Sequence, residues 1–259
     1  MVNNRNAIIA YFSMEVGLVS SMPTYSGGLG VLAGDTLRAA ADAGVPMIGV
    51  TLLHRKGYFV QEVDGNGWQR EEPVSWDPAS FMQMMQPRAA IEIEGRRVLV
   101  AAWRYVIRGV HGHTVPVYFL DTDLPENDPR DRVLTDQLYG NGPHYRICQE
   151  VVLGIGGVEM LRVLRHDFVR GYHMNEGHAA FLTLSVLEAE THGKGLHATN
   201  ALDVEAVRDR CIFTTHTPVP AGHDQFPVSL VEQVLGHERA SSPAIMDNCA
   251  NGVLNMTYL

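Results

Sequence analysis

Tyr25–Gly44 reads YSGGLGVLAGDTLRAAADAG, a glycine-rich turn that runs straight into a segment with helical spacing. Gly27, Gly28 and Gly30 carry no Cβ to hold a bound group off the backbone, and the helix that follows aims its unpaired N–H groups at that gap. Helix N-termini favour anions through free donors and the positive end of the macrodipole, so a phosphate or phosphosugar is the first ligand to weigh. The plainer alternative is a turn whose glycines only let a strand pass close to a helix.

Working outward, IIAYFSM (Ile8–Met14) and VPMIGVTLL (Val45–Leu53) are short apolar runs of the kind buried parallel strands show. Strand, helix and strand make a βαβ unit, whose ligands bind at the carboxyl ends of the strands. Gly28-x-Gly30-x-x-Ala33 also satisfies a dinucleotide fingerprint. Two features oppose that reading: the glycines lie well beyond the first strand, and the second strand ends Leu52-Leu53-His54-Arg55 with no acidic residue for a ribose.

Residues 58–112 change character. YFVQEV, the turn Asp64-Gly65-Asn66-Gly67 and RRVLVAAWRYVIRG alternate and break as antiparallel hairpins do, so a β-rich insertion at one sheet edge is expected. VPVYFLDTD (Val115–Asp123) returns to the apolar-strand pattern. From His144 to Leu164 the spacing of Ile147, Val151, Ile155, Val158 and Leu161 predicts one helix, buried on two sides to tolerate Gly154, Gly156 and Gly157. FVRGYHMN (Phe168–Asn175) reads as a strand, residues 176–190 as a helix, CIFTTHT (Cys211–Thr217) as a strand, PVPAGHDQFP as a turn and Val228–Leu235 as a helix. Alternation of this kind predicts an α/β fold with a mainly parallel sheet.

The 259 residues are 46% apolar with a formal charge of −9, enough for a substantial core and unlike the basic stripe of a nucleic-acid partner. Cys148, Cys211 and Cys249 are odd in number and far apart, which predicts free thiols and a cytoplasmic location. No window approaches ~18 consecutive apolar residues, so no membrane span is expected.

Polar residues gather where two strands run out: His173-Met174-Asn175-Glu176-Gly177-His178 and Thr214-Thr215-His216-Thr217-Pro218. In one parallel sheet both would face the edge that carries the glycine turn, the usual sign of a site. No metal is predicted, because the spacing of His173 and His178 does not set two ligands on one helix face and no cysteine lies nearby. Taken singly, each histidine reads as a hydrogen-bonded strand-end residue.

Six collinear blocks, YFSMEVGL, PTYSGGLGVLAGDTLRAAADAGVPMIGV, HRKGYFVQ, YRICQEVVLGIGGVEMLR, YHMNEGHAAFLTL and FTTHTPVPAGHDQFP, resemble the N-terminal domain of the glycogen and α-glucan phosphorylases, particularly the shorter bacterial and archaeal branch. The resemblance implies that residues 1–259 form the Rossmann-like N-terminal half of a retaining GT-B fold. It further implies that pyridoxal phosphate is anchored by a lysine of a C-terminal domain absent from this chain. The implied reaction is phosphorolysis of terminal α-1,4-glucosyl units of a glucan to glucose 1-phosphate. By similarity, the N–H groups of Gly28 and Leu29 meet phosphate and sugar, with Gly27 giving room. His216, the catalytic candidate, holds the sugar's 6-hydroxyl and offers its carbonyl near the anomeric centre, while Glu15, Glu176 and His178 line the glucosyl pocket. A homodimer is a further expectation, since whole enzymes of the family often dimerise.

Two departures qualify the likeness. The only lysines, Lys56 and Lys194, sit in turn-like polar contexts, and a Schiff base needs a desolvated lysine at the site. An inactive fragment is therefore expected. Cys148 stands where the family's block carries a basic residue, which leaves that helix's polar contact in question. Two other classes stay open: a GT-B nucleotide-sugar glucosyltransferase resembling a glucan synthase, and a non-catalytic carbohydrate-binding module.

Overall fold

A computed structural model describes residues 7–140, 142–217 and 222–259. Strand β1 (Ile8–Ser13) sits at its centre, with β2 (Met47–Leu52) hydrogen-bonded along one side and β9 (Val169–Asn175) along the other, both parallel to it. Between β1 and β2 runs α1 (Gly28–Ala43), closed by Gly44 in the left-handed conformation that glycine adopts without a Cβ penalty. β-Branched and aromatic residues fill β1 because both faces of a central parallel strand are covered. Ala10 and Phe12 pack with Val50, Leu52 and Leu120 on one face. Tyr11 packs with Leu37, Val117 and Phe119 on the other, beneath α1.

The residue 58–112 segment divides in two. β3 (Val60–Val63) and β4 (Gln69–Glu72) form a separate exposed hairpin. β5 (Gln83–Met84), β6 (Ala89–Ile93) and β7 (Arg96–Arg108) instead extend the main sheet, β7 lying antiparallel to β8 (Thr114–Asp121). The expected β-rich edge is present, but most of it is continuous with the sheet and not appended to it. The strand path is β10-β9-β1-β2-β8-β7-β5, with β6 on β7 and β10 (Cys211–Thr214) at the far edge.

After the short α2 (Pro129–Arg132), the expected helix over residues 144–164 is a continuous rod with an internal break: α3 (Pro143–Val151), a π-turn (Val152–Gly156) and α4 (Gly157–Val163). Gly154 explains its position. A Cβ there would lie 2.7 Å from the Leu182 nitrogen, so the π-turn is where the rod meets the α5 segment backbone to backbone.

Two boundaries differ from the sequence reading. Glu176 does not begin a helix: at φ 69° and ψ 172° it turns the chain out of β9, a tight turn follows at Gly177–Ala179, and α5 proper is Leu182–Glu190. β10 stops at Thr214, so Thr215–Thr217 leave the sheet. After α6 (Ala201–Arg208) the chain forms β10, β11 (Gln225–Pro227) and α7 (Val228–Leu235), then the small strands β12 (Cys249–Ala250) and β13 (Val253–Asn255) beside β11. Residues 218–221 of the expected PVPAGHDQFP turn lie outside the described residues. No described helix is long and apolar enough to cross a membrane.

Candidate active site

The chain leaves β1 towards β2 and β8 on one side, and later returns to add β9 and β10 on the other. The carboxyl ends of β1 and β9 therefore flank a topological switch point, where open α/β sheets form their ligand crevice. Register places Ser13 opposite Asn175, and Asn175 opposite Thr214. Glu15, Glu176 and His216 consequently emerge side by side from three adjacent strands.

The head of α1 reaches the same edge. Gly27 and Gly28 would point a Cβ into open space, as expected of a turn that admits a ligand. Gly30 is different: a Cβ there would stand 2.4 Å from the Tyr25 Cβ and 2.8 Å from Glu15 Oε2, so this glycine serves packing. The N–H groups of Gly28, Leu29 and Gly30 open the helix without a partner among the described residues. The Gly27 N–H is already taken, donating to Glu15 Oε2 at 3.2 Å beside the Ser26 N–H at 2.6 Å.

Below this lies a cavity of about 560 Å³ lined by Leu29, Tyr139, Arg146, His178, Thr217 and Asp224 among others. Leu29 and Thr217 share it, which brings the glycine turn and the His216 loop to one cleft. His216, the residue before Thr217, is exposed, its Nε2 3.0 Å from Asn175 Oδ1, and Asn175 Nδ2 donates to Ser13 Oγ at 3.1 Å. His173 is not part of the cleft group; its ring pairs with Thr214 Oγ1 and meets Tyr11 edge-on.

Sequence reasoning missed the polar floor. Arg146 donates to Asp224 Oδ2 at 2.9 Å and to Glu150 Oε1 at 3.3 Å, and its guanidinium lies 4.4 Å over the Tyr139 ring. His178 Nε2 lies 3.5 Å from Asp224. Burial, then the Arg146 charge, pushes the His178 pKa down to about 4, so the ring is neutral near pH 7. Burial and the Asp224 charge drive Glu150 well above the usual carboxylate range. For Asp224 burial acts upward, but the Glu150 hydrogen bond and Arg146 outweigh it and hold the group low. The two groups are thus pushed in opposite directions beside the Arg146 charge.

Cys148 is buried in the core, its thiol pushed up to about 12 by burial. The polar contacts left in question by that residue come instead from Arg146, Gln149 and Glu150 on the same helix. Lys56 pairs with Asp136 at 2.7 Å with its side chain 60% exposed, and Lys194 is exposed in a turn. Neither is desolvated at the cleft.

No family model matches the chain. Curated relatives do. A "Glycogen phosphorylase" of Mycobacterium tuberculosis (strain H37Rv) is 43% identical over 242 residues, covering 89% of this chain and 27% of the relative. A "Maltodextrin phosphorylase" of Thermococcus litoralis is 43% identical over 234 residues, covering 88% and 27%. A "Glycogen phosphorylase" of Aquifex aeolicus is 32% identical over 236 residues, covering 87% and 32%. The chain thus spans between a quarter and a third of the length of these relatives, and the resemblance read from the six blocks extends over most of its residues.

Proposed function

We propose that this chain is the N-terminal GT-B half of an α-1,4-glucan phosphorylase, whose complete form transfers terminal glucosyl units of a glucan to phosphate and releases glucose 1-phosphate. The observation that carries the reading is the meeting, at the switch point of a parallel sheet, of two of the six sequence blocks. These are the open amides at the head of α1 and the His216 loop, joined across one cavity. Glycosyl transfer to phosphate passes through an oxocarbenium-like state, which needs fixed donors for the anion and partial negative charge beside the ring. The Gly28 and Leu29 N–H groups supply the first and the His216 carbonyl the second, with Gly27 leaving space. Glu15, Glu176 and His178 stand behind them as the wall of the glucosyl pocket.

The chain's own residues do not fit as the anchor for pyridoxal phosphate. Both lysines are solvated away from the cleft, so the cofactor belongs to a further domain of the complete protein. This half holds and orients substrate, and by itself it is inactive. A cytoplasmic homodimer is the assembly we expect of the complete protein.

The test is an assay of the complete protein for phosphate-dependent glucose 1-phosphate release from maltodextrin. Transfer from ADP-glucose without phosphorolysis would replace the proposal with a glucan synthase. Oligosaccharide binding without either activity would leave a carbohydrate-binding module. Activity of the purified 259-residue chain with added pyridoxal phosphate would overturn its inactivity.

A further inference from the structure

Two buried glutamates leave neighbouring strands and make matching contacts. Glu15, two residues past β1 and 2% exposed, receives the consecutive N–H groups of Ser26 and Gly27 on Oε2, and the Tyr139 hydroxyl on Oε1 at 2.7 Å. Glu176, one residue past β9 and 1% exposed, receives the consecutive N–H groups of His216 and Thr217 on Oε1, together with the Thr217 hydroxyl at 3.2 Å. A carboxylate that recognises a sugar must offer its oxygens to incoming hydroxyls. Both Glu15 oxygens are instead taken within the protein, by main-chain amides and the Tyr139 hydroxyl, and Glu176 turns Oε1 to the main chain, leaving only its buried Oε2 without a partner among the described residues.

We infer that Glu15 and Glu176 are positioning residues, each gripping two successive amides of one cleft loop and so fixing where the next groups of that loop point. The inference rests on the phosphorylase reading of the cleft and changes the part these two residues take in it. Consecutive N–H groups that point the same way form a natural anion cradle. Glu15 fills the Ser26–Gly27 cradle from within, so an incoming anion meets only the amides from Gly28 onward. Glu176 fixes the His216 backbone while Asn175 fixes its ring, so both carbonyl and imidazole are oriented before substrate arrives.

The backbone supports a demanding role for Glu176. Its φ of 69° with ψ of 172° belongs to a region that is nearly reserved for glycine, and non-glycine residues persist there only where the surroundings over-determine them. Three donors converging on one oxygen provide that constraint. Together with the Thr215 side chain they outweigh the upward effect of burial and hold the Glu176 pKa below its ordinary value. Tyr139 gives Glu15 its support: the hydroxyl reaches across 124 residues of sequence to the oxygen that the amides do not use.

Hydrogen exchange on the folded protein, read by mass spectrometry in peptides spanning residues 24–30 and 213–217, tests each grip separately. Glu15→Ala should speed exchange at Ser26 and Gly27 by roughly 10- to 100-fold, the loss of charge-assisted bonds to a buried acceptor, and leave His216 and Thr217 unchanged. Glu176→Ala should do the reverse, and Glu15→Gln, which keeps an accepting oxygen, should retain most of the protection. Tyr139→Phe is a milder second probe should Glu15→Ala not fold, and it should loosen only the Ser26–Gly27 segment. In the complete enzyme Glu15→Ala or Tyr139→Phe should raise KM for orthophosphate about tenfold, and by more than it raises KM for maltodextrin. Unmoved exchange, or loosening of both segments by either variant, overturns the inference. So do unmoved kinetic constants in an enzyme whose wild type is active. A wild type without phosphorolysis would defeat the functional reading alone, because the exchange experiment decides the grips without it.

Discussion

Among the glycines of the opening stretch, identical residues carry opposite consequences. Gly28 has open space where its Cβ would be, so Gly28→Ala should leave the melting temperature unchanged or slightly raised, alanine being the better helix former. The new methyl would stand in the path of an anion approaching the α1 amides, and KM for orthophosphate in the complete enzyme should rise about tenfold. Steady-state kinetics and thermal denaturation of one variant check both halves, and a fall in melting temperature with unchanged KM would mark Gly28 as a packing residue. Sequence showed the candidates at this scale unevenly. His216 and Glu176 were legible because they follow strand ends, and the glycines because they open a helix. Tyr139, Arg146 and Asp224 were not, since their partners lie 124 residues away for Tyr139 and 78 for Arg146, and nothing local records such contacts.

For whole elements, the contact of α1 with the segment after β1 is made through missing side chains. A Cβ on Gly34 would fall 2.0 Å from the Gly17 carbonyl oxygen, and the Gly17 N–H donates to the Gly30 carbonyl at 2.8 Å. Gly34→Ala cannot be absorbed by a rotamer change, because the clash is backbone against backbone. It should cost about 1–3 kcal/mol or more, which for a chain of this size lowers the melting temperature by several degrees. Denaturation of Gly34→Ala beside Gly28→Ala should separate the two, and equal melting temperatures would contradict the packing described. Periodicity predicted the rod from residue 143 to 163, though not its π-turn, because an apolar stripe fixes a helix wherever its partner lies. The start of α5 was missed for a local reason. Glu176 is held out of helical geometry by its grip on the His216 loop, and pattern alone extends a helix through such a residue.

Across the whole molecule, the sheet order that creates the switch point is a long-range property, and only the expectation of parallel strands was available from sequence. The buried titratable groups are likewise a product of the assembled fold, and they set how stability responds to acid. His54, fully buried with Nε2 2.7 Å from the Met14 carbonyl, has its pKa pushed down to about 4 by burial, as does His178. The folded-state value is depressed, so between pH 6.5 and about 4 the unfolded chain binds a proton that the folded chain refuses. Stability from each histidine is therefore complete above pH 6.5 and falls with acidification through that window, by ~3 kcal/mol each. Glu150 acts oppositely: its raised pKa means that folding loses ground as pH rises above the ordinary carboxylate value. The wild-type profile is thus a composite, and a comparison isolates one part. His54→Gln keeps a donor of similar reach without a titrating ring, so the wild type should lose ~3 kcal/mol more than this variant between pH 6.5 and 4, measured by guanidinium denaturation across that range. Parallel profiles for the two proteins would mean that His54 is protonated within the fold, and that the space beside Met14 is wetter than its burial implies.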